Sequence, residues 1–163
     1  MIERTLAPKI ISLAQKFQVI TLTGPRQSGK TTLVRATFSN LPYVSLEEPD
    51  IRQIALSDPR GFLSNYLNGA ILDEIQNVPD LFSYIQRIVD ENREIHFILT
   101  GSSNFLLMEK ISQTLAGRTA VLHLLPFSLA ELEPFEEPYE NMIFKGQYPR
   151  IYDRNIAPND FYP

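Results

Sequence analysis

The sequence predicts an α/β fold, a parallel five-stranded sheet with helices on both faces, and three observations carry that prediction. Short apolar, β-branched runs alternate with stretches of helical period, the pattern of strands joined by right-handed helical crossovers. Gly24-Pro25-Arg26-Gln27-Ser28-Gly29-Lys30-Thr31 fits G-x-x-x-x-G-K-[ST] at every fixed position. Ala70-Ile71-Leu72 runs directly into the acidic pair Asp73-Glu74, as a buried parallel strand delivering carboxylates to its end.

Ile2, Leu6, Ile10, Leu13 and Phe17 recur at helical spacing, so residues 2–16 form a leading helix that packs on the sheet. Strand one covers 18–23, and the helix after the glycine-rich loop covers 30–38. Strand two, 43–46, ends at Glu47-Glu48-Pro49-Asp50. Residues 50–56 and 62–67 read as helices separated by Asp58-Pro59-Arg60-Gly61. Strand three is 69–74. Pro79 suits the first turn of the next helix, whose inward stripe is Leu81, Tyr84, Ile85, Ile88 and Val89. Strand four, 96–100, ends at Gly101-Ser102-Ser103-Asn104. A helix over 105–115 leads through Gly117-Arg118 to strand five at 120–124, and 128–132 begins a short helix. After Pro134 prolines recur and no period persists. The expected organisation is therefore one domain over 1–134, with 135–163 a linker towards a C-terminal domain beyond this chain.

Composition narrows the function classes. Apolar residues make up 44% of the 163 and charged residues 21%, ordinary for a soluble globular domain with a real core. There is no cysteine, which excludes disulfides and thiolate metal sites and is consistent with the expected cytoplasmic setting. No apolar run approaches the roughly 18 residues that suggest a membrane span. The net charge is −4 with both signs dispersed, so nothing points to nucleic acid as a partner.

The chemistry is expected at the carboxyl ends of the strands, where ligands bind in such sheets. Strand, glycine-rich turn and helix N-terminus together aim backbone N–H groups at one spot and hold an anion there. The whole loop, Gly24, Pro25, Arg26, Gln27, Ser28, Gly29, Lys30 and Thr31 with Thr32 after it, is the candidate phosphate site. Lys30 would reach the β- and γ-phosphates and the Thr31 hydroxyl would ligate Mg2+. Asp73 can hold the same Mg2+, since a hard cation takes carboxylate and water oxygens. Glu74 lies where it could polarise the attacking water. An acidic pair after a strand is otherwise a helix cap or a solvated turn.

Thr100 and Ser102, with Ser103 and Asn104, put polar groups beside the γ-phosphate position, where one could sense phosphate state; Thr100 and Ser102 are favoured over their neighbours. Ordinary turn chemistry also selects these residue types. Arg118 either complements a helix dipole or serves as an arginine finger in a neighbouring subunit's site, which requires a homo-oligomer. His96 and His123 sit among apolar residues and read as sheet histidines. GTPases should carry D-x-x-G at the metal strand and N-K-x-D later. The metal strand here reads Asp73-Glu74-Ile75-Gln76 and no N-K-x-D occurs. Small-molecule kinases usually lack the glutamate after the aspartate, and the interval between the two motifs is too short for a transporter subdomain. The additional-strand ATPases remain, a P-loop NTPase three-layer sandwich with sheet order 5-1-4-3-2.

Further motifs are Ser45-Leu46-Glu47, Leu99-Thr100-Gly101-Ser102-Ser103 and Leu115-Ala116-Gly117-Arg118. Leu125-Pro126-Phe127-Ser128 with Glu131-Leu132, and Gly146-Gln147-Tyr148-Pro149-Arg150, follow. With the loop and the acidic strand, they make the chain resemble the AAA-type ATPases of bacteria and archaea that pair this domain with a C-terminal domain of unknown function. The resemblance implies ATP and Mg2+ at residues 24–31, Asp73 as metal partner and Glu74 as catalytic base. It also implies proteins about twice this length, whose second domain binds the biological partner. Three functions are weighed: an ATPase producing ADP and phosphate to drive conformational change, a nucleotide switch that hydrolyses little, and a nucleic-acid-associated motor.

Overall fold

Apolar residues alternate across each strand, so both faces of the sheet demand cover. The computed structural model of the chain describes residues 2–102, 105–135, 138–154 and 156–161, excluding the side chains of 105–107, 112, 134 and 158. Five parallel strands, β1 Val19–Gly24, β2 Tyr43–Ser45, β3 Ala70–Asp73, β4 Phe97–Ser102 and β5 Thr119–His123, form one sheet of order β2-β3-β4-β1-β5. Read from the other edge this is 5-1-4-3-2. β1 lies between β4 and β5, so the loop that leaves it opens near the middle of the sheet's carboxyl edge.

The two faces are distinct. Ile20, Leu22, Ile71, Ile98 and Leu122 point to one side and bury Ile10 of α1 (Ala7–Ala14) with Leu33 and Val34 of α2 (Lys30–Thr37). Val19, Leu72, Phe97 and Leu99 point to the other. There they pack under α3 (Pro49–Ser57), α4 (Pro59–Ser64), α5 (Leu81–Glu91) and α6 (Phe105–Thr114) through Ala55, Phe62, Phe82, Ile85 and Ile111. This is the three-layer sandwich. On α5 the buried set is Leu81, Phe82, Ile85 and Val89, whereas Tyr84 is 38% exposed. At 100° per residue Phe82 continues the arc of the other three on one side, while Tyr84 lies beyond its opposite edge, which corrects the expected stripe.

Beyond α7 (Leu129–Leu132) the segment expected to be plain linker carries three short helices, α8 (Tyr139–Lys145), α9 (Pro149–Arg154) and α10 (Pro158–Phe161). Met142 is buried with Phe127 and Leu132 in a small separate core against which Tyr152 packs. The Phe127 N–H donates to the Gln147 carbonyl at 2.8 Å. These turns are too short to show a period in sequence, yet Met142 and Ile151 are buried, while Tyr139, Ile143 and Phe144 stay exposed.

Gly69 enters β3 with φ +91°, where a Cβ would collide with the His96 carbonyl oxygen. Gly69→Ala is expected to destabilise the fold by about 3 kcal/mol, because left-handed backbone strain and a backbone clash act together. Thermal unfolding should register a fall of roughly 10 °C; an unchanged midpoint would mean that β3 enters the sheet differently.

Candidate functional site

β1 ends at Gly24, and the chain then turns through residues with unusual backbone. Gln27 (φ 64°) and Gly29 (φ 90°) are left-handed and flank Ser28. Alternating hands in successive residues turn their N–H groups to one side and make an anion-binding concavity. Gln27 and Glu74 (φ 56°) are the two non-glycine residues with positive φ among those described. Both lie at the carboxyl edge of the sheet, where backbone strain of about 1 kcal/mol or more each is held by the surrounding fold. α2 starts at Lys30, so its free N–H groups and positive dipole end add to the same spot.

Lys30 is 5% exposed, and its Nζ donates to the carbonyls of Gly24 and Pro25 at 3.0 and 2.9 Å. Burial pulls its pKa below the ordinary lysine value; the Glu74 and Asp73 carboxylates oppose that shift and Arg26 adds to it. The Thr31 hydroxyl donates to Asp73 Oδ2 at 2.9 Å. That contact joins the glycine-rich loop to the acidic strand. Asp73 also accepts from the Tyr43 hydroxyl at 2.7 Å and, on Oδ1, from the Thr100 hydroxyl. Glu74 is half-buried beside them. Its carboxylate accepts from the Gln76 side-chain amide, and its N–H donates to Thr100 Oγ1 at 3.4 Å. Gln76 Nε2 also reaches Ser102 Oγ at 3.4 Å.

The candidate residues therefore separate into three groups. Lys30, Thr31, Asp73, Glu74 and Thr100 are drawn together. Lys30, Thr31 and Glu74 line a cavity of about 610 Å3 with Arg26, Gln27, Gly29 and Thr32, which Arg150 and Arg154 of α9 also border. Ser102 lies at the end of β4 and joins through Gln76, while Ser103 and Asn104 lie outside the described residues. Arg118 is elsewhere. It immediately precedes β5, whose first residue is in register with the first residue of β1, so a strand length of about 17 Å separates it from the loop. There its guanidinium forks onto Asp90 at 2.6 and 2.9 Å.

Three residues enter the site unannounced by the sequence reading. Tyr43, at the start of β2, spans the sheet edge to Asp73 while the Arg35 guanidinium lies 4.6 Å from its ring centre. Burial, then the hydrogen bond to Asp73, holds the Tyr43 hydroxyl protonated, its pKa pushed up to about 12. Gln76 belongs to a motif that was visible, but its bridge from Glu74 to Ser102 needs β3 and β4 side by side. Arg4 donates to the Ser28 carbonyl at 2.8 Å from 24 positions away, for which no local pattern exists. Tyr43→Phe should cost about 1.5 kcal/mol in denaturant unfolding, since the Asp73 carboxylate loses one charged hydrogen bond. A loss under about 0.3 kcal/mol would show that Thr31 and Thr100 alone satisfy Asp73.

About 320 Å3 of mainly apolar space lies next to the loop, lined by Ala7, Ile11, Leu33, Ala36, Phe127 and Pro149. It shares Gly29, Thr32, Pro149 and Asp153 with the polar cavity. Among the described residues no group of three or more His, Asp or Glu side chains is placed to hold a metal by itself. Nor is any helix among them long and apolar enough to cross a membrane.

Residues 16–133 match the family profile of the AAA domain. An uncharacterized protein of Mycobacterium tuberculosis is 33% identical over 123 residues, which are 74% of this chain and 28% of that protein. A second, from Methanocaldococcus jannaschii, is 29% identical over 161 residues, 93% of this chain and 34% of its own length. The chain thus spans about a third or less of the curated relatives it matches. In structure, the Walker-type ATPase of Pyrococcus abyssi superposes with a TM-score of 0.65 at 16% identity, over 99% of this chain and 71% of that one. At that identity the likeness is one of fold.

Proposed function

The chain belongs to the AAA domain family, and on that premise we propose that it is an ATP-binding, Mg2+-dependent ATPase module whose hydrolysis cycle drives a conformational change. The contact between the Thr31 hydroxyl and the Asp73 carboxylate carries the reading, because it sets two hard oxygen ligands side by side at the mouth of an anion-binding loop. Ser28 adds a buried hydroxyl without a protein partner inside that loop.

In the proposed reaction the triphosphate lies along the loop, its oxygens accepting from the backbone N–H groups of residues 27–31 and from Lys30 Nζ. Thr31 and Asp73 suit Mg2+, which keeps most of its waters and accepts few protein ligands; when bound it would neutralise charge on the β- and γ-phosphate oxygens. Glu74 orients a water towards the γ-phosphorus and takes its proton. A bond forms from the water oxygen to phosphorus, the bond from phosphorus to the β–γ bridging oxygen breaks, and ADP and phosphate leave. The apolar space beside the loop suits the planar face of a base, with Leu33, Phe127 and Pro149 as its walls. Arg118 points away from its own site, so a role at the phosphates is assigned only to a neighbouring copy.

A second reading is a nucleotide switch that binds ATP and turns it over slowly. It is favoured by one observation, the Gln76 amide engaging the Glu74 carboxylate that should meet water. Turnover by the wild-type chain, measured with and without Mg2+ over a range of protein concentrations, separates the two. Mg2+-dependent phosphate release rising faster than linearly with concentration is the expected result. Tight ATP binding without release selects the switch, and absence of nucleotide binding ends both readings.

A further inference from the structure

Outside the machinery proposed above, Arg4 and Glu131 form a heavily engaged pair of charged side chains among the described residues. Arg4 is 8% exposed. Nη1 donates to the Ser28 carbonyl at 2.8 Å, Nη2 to the Leu125 carbonyl at 2.6 Å, and Nε to Glu131 Oε1 at 3.2 Å. Its guanidinium carbon lies 4.7 Å from the centre of the Phe127 ring. Glu131 is equally committed, accepting from the Thr5 N–H at 2.7 Å, the Thr5 hydroxyl at 3.0 Å and the Ser128 N–H at 2.8 Å. Burial raises the Glu131 pKa, but the bonds from Ser128, Thr5 and Arg4 outweigh it and hold the carboxyl below the ordinary value. That carboxyl faces the guanidinium in a buried pair at 3.2 Å.

The bond to Ser28 bears on the phosphate site through the geometry of one peptide. A trans peptide is planar, so its carbonyl and the following N–H point in opposite directions. Arg4 holds the Ser28 carbonyl to one side, which fixes the Gly29 N–H to the other. Gly29 is the residue whose left-handed φ helps to form the anion concavity, and its own backbone would otherwise flip freely because glycine has no Cβ to resist it.

We propose that Arg4 is a positioning residue for phosphate binding: by gripping the Ser28 carbonyl it keeps the Gly29 N–H aimed at the anion, and through Leu125 and Glu131 it ties that orientation to the segment after β5. The inference rests on the nucleotide reading of the site. It gives the segment 125–131 a route to the loop, because displacing that segment withdraws the Leu125 carbonyl and the Glu131 carboxylate that orient the guanidinium.

The test compares binding of inorganic pyrophosphate, a ligand of the phosphate loop alone, with melting temperature in Arg4→Lys and Glu131→Gln. Lysine keeps the charge but cannot hold three diverging acceptors at once. Glu131→Gln removes the negative charge of the pair but keeps an oxygen that can accept from Arg4 Nε, so the guanidinium stays oriented and the Arg4–Ser28 bond remains. Arg4→Lys should weaken pyrophosphate about tenfold, whereas Glu131→Gln should lower the melting temperature yet keep affinity within about twofold. Should Arg4→Lys fail to fold, the double variant Arg4→Met/Glu131→Gln leaves no unpaired buried charge and must show the same loss. Unchanged affinity without the guanidinium overturns the proposal, as does loss of affinity in proportion to melting temperature across the variants. Wild-type protein that binds neither pyrophosphate nor ATP removes the reading of the site itself, and this inference with it.

Discussion

Lys30→Ala is expected to lower ATP turnover by about three orders of magnitude, since a preorganised cation on the phosphates stabilises charge that develops in the transition state. The ammonium is almost wholly buried and stands between the Gly24 and Pro25 carbonyls, so alanine leaves no cation at that point of the loop. Affinity for ATP should fall as well, because the same cation meets the ground-state phosphates. The fold should survive: alanine removes two hydrogen bonds but also the cost of keeping an ammonium out of water, the cause of its lowered pKa. Phosphate release and calorimetric titration, read beside a melting curve, check all three statements. A variant that still turns over ATP within tenfold of wild type would place the phosphates somewhere other than this loop.

Glu74→Gln should separate binding from chemistry. Removing a general base costs about 10²–10⁴ in rate, while glutamine keeps the shape of the side chain and can still accept from Gln76. ATP affinity should therefore stay within about threefold of wild type as phosphate release collapses. The left-handed backbone at residue 74 disfavours both side chains alike, so no change in fold should confuse the comparison. Hydrolysis persisting at more than a third of the wild-type rate would remove Glu74 as the base. Should the wild type itself prove nearly inactive while binding ATP, the variant would match it, and the switch reading would stand.

Much of this molecule was legible before any coordinates. The glycine-rich loop is a local object: two glycines, a lysine and a threonine at fixed spacing specify a turn and a helix start. The sheet order followed from the ATPase branch left when the guanine-reading and kinase patterns were absent, and it holds from edge to edge. Asp73 was recognisable because the run Gly69-Ala70-Ile71-Leu72 reads as a buried strand and the first charge after it lies at that strand's end. Even the short helix at Leu129–Leu132 announces itself, since Ser128 and Glu131 form a capping box.

What escaped the sequence has one physical origin. Tyr43 meets Asp73 only because β2 pairs with β3, and Gln76 meets Ser102 only because β3 pairs with β4. Arg4 grips a carbonyl 24 residues on and a carboxylate 127 residues on. Met142 is buried against Phe127 and Leu132 although its own helix is too short to carry a period. Arg118 read either as a helix-dipole cation or as a finger for a neighbouring subunit, and only the register of β5 shows that it lies at the far end of the sheet from its own loop. The chain's sequence thus determined the loop, the layers and the carboxylate, because each is written in neighbouring residues or in a repeating period. The tertiary structure alone decided which side chains restrain them, because a long-range hydrogen bond needs no particular neighbours in sequence and leaves no pattern there.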